Sequence, residues 1–248
     1  MRIEIKNLGN KILNQYLIKA KNGYLLIDTG YPNGFNRFAK KLNNENLPLE
    51  QITHIFITHA HDDHVGFLGN LVSALPNAKV IATPETLGRL KVGHNLFIGG
   101  TTTKRAHLFC KFMSLLGNDK HEFPKLELKK SSILWNDKPD FLRSNGINAD
   151  VIKMAGHTSD SIGLLFDNGY LFCGDAAMSG FPSKKNVIIF IESLDEYKQT
   201  WDNMIENQNI KKVFCGHGKP FDIGNLKKHR KFLDTIKLRP LKDKNALK

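Results

Sequence analysis

Between Thr58 and Gly66 the chain reads Thr-His-Ala-His-Asp-Asp-His-Val-Gly. Neutral imidazole nitrogen and carboxylate oxygen are the usual ligands of zinc and of similar divalent ions. The segment follows His54-Ile55-Phe56-Ile57-Thr58, a compact apolar run that suits a buried strand. Residues two apart at the exit of a strand point the same way, so His59 and His61 can converge on one ion. Asp63 and His64 lie beyond the turn, where they can address a second ion. Five other histidines, His54, His94, His107, His121 and His229, have no comparable company and read as ordinary hydrogen-bonding residues.

The elements that must position these residues alternate. Short strands are expected at Ile3 and Ile5, at residues 16–18 and at residues 24–27, the last ending in Asp28-Thr29-Gly30. Phe35, Phe38, Leu42 and Leu47 recur at helical spacing over 34–47, before the break at Pro48. A strand over 54–58, a helix over about 65–75 and a strand over 80–82 follow. Strand, helix, strand, helix is an α/β signature. Residues 107–116, with apolar side chains on more than one face, form a helix that is core, lid or dimer contact. Strands return at 151–154, 161–166 and 170–173, then a helix over about 194–207 and a strand over 212–215.

The segment at 58–66 resembles the signature of the metallo-β-lactamase-fold hydrolases. Further pieces follow in the family's order: His157 in Ala155-Gly156-His157-Thr158, Asp175 in Phe172-Cys173-Gly174-Asp175, and His217 in Gly216-His217-Gly218. The resemblance runs from about residue 12 to residue 225. It implies a four-layer αβ/βα sandwich of two mixed β-sheets flanked by helices. It also implies that His59, His61 and His157 hold one ion, that Asp63, His64 and His217 hold the other, and that Asp175 bridges them. Asp28 matches the family's acid that orients a ligand histidine by hydrogen bonding.

Two divalent ions ~3.5–4 Å apart share a bridging water and lower its pKa toward neutrality, so hydrolysis by a metal-bridging hydroxide is the implied reaction. Asp63 would hold or accept the nucleophile's proton. Zinc is the expected metal, with manganese and iron as alternatives. Asp175 stands where the classical zinc β-lactamases use a cysteine, and His61 where the flavodiiron reductases place a glutamate. What remains resembles the glyoxalase II, lactonase and ribonuclease Z branches. The favoured substrate is a small-molecule ester, thioester or lactone, with residues 107–116 lining an acyl pocket. A phosphodiesterase or nuclease of the same fold is the alternative. A mononuclear iron dioxygenase or a non-catalytic scaffold is a second, which the complete second ligand set disfavours. Tyr31, Lys184 and Lys185 lie near motif segments and read as surface residues.

Composition sets the frame. The 248 residues are 41% hydrophobic and 24% charged, with 20 Gly, 9 Pro and 3 Cys, which excludes disordered, collagenous and disulfide-stapled chains. Cys110, Cys173 and Cys215 are too scattered for a staple framework. With no signal-peptide core and no apolar run near a bilayer span, a cytoplasmic protein is expected. The reading is one domain over 1–248, with an insertion at about 84–130 and a basic C-terminal tail at 226–248. The net charge of +12 is concentrated there, +5 in the insertion and +7 in the tail, while the rest is neutral. Either an anionic partner or a solvated basic surface fits that pattern. Oligomeric state is left open.

Overall fold

A computed structural model describes residues 3–96, 98–117, 121–135 and 140–241. Part of the expected insertion (97 and 118–120) and the end of the basic tail (242–248) lie outside the described residues. In chain order the first elements are β1 (Ile5–Asn7), β2 (Tyr16–Ala20), β3 (Gly23–Ile27), α1 (Phe35–Asn44), β4 (Ile52–Phe56), α2 (Asp62–Val65), α3 (Leu68–Ala74), β5 (Lys79–Ile81) and α4 (Pro84–Val92). The middle holds β6 (Gly100–Thr101), α5 (Lys104–Leu115), α6 (Phe141–Ser144) and β7 (Ala149–Lys153). The last are β8 (Ile162–Phe166), β9 (Tyr170–Gly174), β10 (Phe190–Ile191), α7 (Leu194–Glu206), β11 (Lys212–Cys215), β12 (Phe221–Asp222) and α8 (Gly224–His229).

Two five-stranded sheets result, of order β1-β2-β3-β4-β5 and β12-β11-β9-β8-β7. Both are mixed. In the first, β1, β2 and β3 run antiparallel and β3, β4 and β5 parallel. In the second, β11 is parallel to β9 and antiparallel to β12. A short ribbon pairs β6 with β10. The chain divides into two compact units, one of residues 1–95, 121–152 and 164–168, the other of residues 96–120, 153–163 and 169–248.

In the first unit, the apolar faces of β2, β3 and β4 bury Leu17, Leu26 and Ile55 with Phe38 and Leu42 of α1. Phe67 closes this core, its ring 5.4 Å from that of Phe38. The helix expected over 65–75 is instead two pieces, α2 and α3, broken at Gly66-Phe67. Phe67 leaves the helical conformation (φ -112°, ψ 20°), and position 66 has room only for glycine: a Cβ there would lie 2.4 Å from the Pro32 nitrogen and 2.5 Å from the Gly30 carbonyl. Helix α4 starts cleanly because Thr83 Oγ1 accepts from the Thr86 amide and Pro84 needs no donor.

In the second unit, α7 buries Tyr197, Trp201 and Met204 from its periodic face, and Thr200 with them. Trp201 Nε1 donates to the Ala176 carbonyl at 2.8 Å, and Thr200 Oγ1 donates to the Ala155 carbonyl at 2.6 Å. Both bonds pin loops that carry site residues. The core alternative for residues 107–116 fails: α5 buries only Ala106, and Leu108, Phe112 and Leu115 are exposed. Among the described residues, no helix is long and apolar enough to cross a membrane.

Candidate metal centre

The first unit carries His59 and His61 on the turn between β4 and α2, and Asp63 and His64 within α2. That turn is held from β3. Asp28, the residue after β3, takes a left-handed backbone (φ 57°). Its carboxylate accepts from the Thr58 amide, the Thr58 hydroxyl and His64 Nδ1, each at 2.8 Å. The Thr58 hydroxyl, having given its proton to Asp28, accepts from His59 Nδ1 at 3.0 Å. The Thr29 amide and hydroxyl close on the His64 carbonyl at 2.7 and 2.8 Å.

This network decides tautomers. A carboxylate only accepts, so His64 carries its proton on Nδ1, and His59 does so by the same logic through Thr58. Each neutral ring therefore has its lone pair on Nε2. His59 and His64 are fully buried and their ring centroids lie 4.1 Å apart, with His61 4.8 Å from His59. Asp63 Oδ1 is 3.7 Å from His64 Nε2. Asp62, the motif's other acid, is engaged elsewhere: its amide donates to Asn95 Oδ1 at 2.9 Å, Asn95 Nδ2 donates to its carboxylate at 2.8 Å, and His121 Nδ1 lies 3.3 Å away.

The second unit carries His157, Asp175 and His217. Strands β9 and β11 are adjacent and parallel, with Cys215 opposite Gly174, so Asp175 and His217 leave the sheet at the same end. His217 Nε2 lies 3.3 Å and His157 Nε2 3.6 Å from Asp175 Oδ2. His157 Nδ1 donates to the Phe190 carbonyl at 2.8 Å, which again puts the lone pair on Nε2. Two glycines permit these turns. A Cβ on Gly156 (φ 126°) would sit 2.3 Å from the Tyr197 amide, and one on Gly218 (φ 90°) 1.7 Å from the Ser179 carbonyl. Cys173 and Cys215 are buried two positions before Asp175 and His217, and Cys215 Sγ donates to the His217 carbonyl. Burial pushes the Cys215 thiol up to about 12 and the Cys173 thiol well above its ordinary value, so both stay protonated.

Each unit therefore presents a His/Asp cluster whose imidazole and carboxylate donors suit divalent metal ions. All eight residues singled out in the sequence fall in one cluster or the other. Thr58, Asn95 and the Phe190 carbonyl do not announce themselves in sequence. A threonine before a histidine or a backbone oxygen 33 positions away carries no motif. His54, His94, His107 and His229 make hydrogen bonds to Thr53, the Asn95 carbonyl, Thr101 and Asn186. Tyr31, Lys184 and Lys185 are exposed.

The fold recurs in an archaeal metallo-beta-lactamase superfamily protein from Sulfolobus tokodaii, with a TM-score of 0.61 and 18% identity over 98% of this chain and 90% of that one. The α/β sandwich of two mixed sheets flanked by helices is thus the metallo-β-lactamase fold. In sequence, the uncharacterized protein YobT of Bacillus subtilis is 39% identical over 69 residues, 28% of each chain. The anaerobic nitric oxide reductase flavorubredoxin of Enterobacter sp. (strain 638) is 34% identical over 93 residues, 37% of this chain and 19% of that protein. The match thus spans under a third of these relatives' own length. The model of the Metallo-beta-lactamase superfamily matches residues 9–217, from the loop before β2 to the last cluster histidine, and on that match the chain belongs to the superfamily.

Proposed function

We propose that this protein is a dinuclear metal-dependent hydrolase acting on a small-molecule ester, thioester or lactone. His59, His61 and His157 would hold one ion, Asp63, His64 and His217 the other, with Asp175 shared. The observation that carries the reading is the hydrogen-bond pattern: Asp28, Thr58 and the Phe190 carbonyl engage Nδ1 of His64, His59 and His157, which supports Nε2 as the ligating atom of each neutral ring. Two bound divalent ions supply Lewis acidity and lower the pKa of a shared water. The chain's own contribution is to hold the rings rigid and buried, and to offer the Asp63 carboxylate as the group that takes the water's proton. Burial of both clusters excludes bulk water from the polar groups and strengthens their fields.

The acyl preference rests on the exposed apolar residues of α5, Leu108, Phe112 and Leu115. Phosphodiester hydrolysis is the second reading, favoured by the basic side chains Lys104 and Arg105 at the start of the same helix. Zinc is the proposed metal and the cytoplasm the proposed location. Parallel assays of a thioester, a lactone and a phosphodiester, wild type against Asp175→Ala, separate the readings. Turnover of thioester or lactone that the variant loses supports the proposal. Turnover of the phosphodiester alone replaces its substrate class. No metal-dependent turnover of any of the three would count against it.

A further inference from the structure

The two basic segments of the sequence meet in the second unit. The Thr101 amide donates to the Arg239 carbonyl at 2.9 Å and the Arg239 amide donates back at 3.0 Å, so the C-terminal segment runs beside β6 and the start of α5. A cavity of about 470 Å³ opens there, lined by Lys104 and Arg105 from the insertion, Lys237 and Arg239 from the tail, and Lys184. Among the described residues, no acidic one lines it.

Some basic residues elsewhere are paired: Lys6 with Glu45, Lys91 with Glu127, Arg143 with Asp150 and Asp167, and Arg230 with Asp202 and Asp234. Among the described residues, none of the five cavity cations has a carboxylate within ion-pair distance. Arg105 instead lies over the Phe181 ring at 4.5 Å, and Arg239 Nη1 donates to the Lys237 carbonyl. Gathering five like charges is unfavourable unless an anion neutralises them. The first turn of α5 adds its own field. Thr103 caps it by accepting from the Ala106 amide at 3.0 Å, and the helix's positive end faces the same wall as Lys104 and Arg105. The volume suits a small molecule, since ligand pockets run from roughly 300 to 1,000 Å³.

We infer that this cavity binds the phosphate group of a small organic phosphate. Arginine forks and lysine ammonium groups match tetrahedral phosphate oxygens, and two guanidinium groups with three ammonium groups balance more charge than one carboxylate brings. The inference stands on the second unit alone and does not rest on the hydrolase reading.

The test is a titration of phenyl phosphate into the metal-loaded protein at 150 mM salt, read by 31P line broadening. Wild type, the Lys104→Gln/Lys237→Gln double variant, Lys184→Gln and Asp175→Ala are compared, each with its melting temperature checked. Saturable binding is expected in wild type and in Asp175→Ala. The double variant should weaken it at least tenfold and Lys184→Gln a few-fold, with melting temperatures unchanged. Absence of binding, equal affinity in the double variant, or loss in Asp175→Ala alone would overturn the inference, the last by placing the phosphate at the metal cluster. A single-stranded 12-mer oligonucleotide that binds more tightly at equal phosphate concentration would replace the small molecule with a nucleic-acid backbone.

Discussion

Asp28 holds the first cluster by one carboxylate that serves three donors, one of them His64 Nδ1 at 2.8 Å. Partners that orient a ligand histidine typically change metal affinity by about 10- to 100-fold when removed. Asp28→Asn is therefore expected to weaken metal binding by that order, measured by competition with a chromogenic chelator. Thr58→Val, which keeps the shape and removes the hydroxyl, should act in the same direction through His59 and Asp28. An unchanged affinity in both variants would mean that the rings are oriented by packing alone. At this scale the sequence is informative where residue type and spacing declare chemistry, as at His59, His61, Asp63 and His64. It is silent where position comes from an ordinary residue. Asp62 and Asp63 are adjacent aspartates in one motif, yet only the fold shows that Asp62 locks onto Asn95 while Asp63 lies beside His64.

The longer strands and helices α1, α3, α5 and α7 were legible to within a few residues, because buried runs such as 212–215 and periodic faces such as that of α7 carry their own signal, whereas α4, α6, α8 and β12 were not read. What spacing does not show is crowding from distant backbone. Gly66 has no room for a side chain because Pro32 and Gly30 approach it, and the β6–β10 ribbon is too short to leave a pattern. Helix α5 misleads for a related reason: apolar residues all round suggest burial, but Phe112 is 58% exposed. Phe112→Asp is accordingly expected to change stability by less than about 0.5 kcal/mol. If α5 serves acyl recognition, the variant lowers turnover of long-chain over short-chain acyl substrates; an unchanged ratio would remove α5 from that role. A different element contact depends on pH. Arg143 of α6 bonds Asp150 of β7 and Asp167 in the β8–β9 turn, and its hydrogen bond holds the Asp167 carboxyl below the usual carboxylate range. A lowered folded pKa adds stability above the unfolded value near ~3.9, and that stability disappears as pH falls through the folded value. Arg143→Ala should therefore cost under about 1 kcal/mol at neutral pH, the pair being largely exposed. Urea titrations should show the difference vanishing in acid.

Across the whole molecule, the charge distribution was readable as two basic blocks but not as one place. Residues 84–130 and 226–248 are far apart in the chain, and only the pairing of Thr101 with Arg239 brings Lys104 and Arg105 beside Lys237. The division into two units is likewise hidden, because each is assembled from interleaved stretches. The two buried clusters also couple metal to folding. A ligand that binds only the folded state at 1,000 times its Kd stabilises it by about 4 kcal/mol. Chelation is expected to lower the melting temperature by several degrees, and readdition of metal to restore it, by calorimetry. The most direct test of the central claim is metal content by elemental analysis alongside hydrolysis, wild type against Asp175→Ala. Two divalent ions per wild-type chain, fewer than two in the variant, and turnover that falls with the metal are the predicted result. A wild-type chain that saturates with one ion or none, or a variant that hydrolyses as well as wild type, would contradict it.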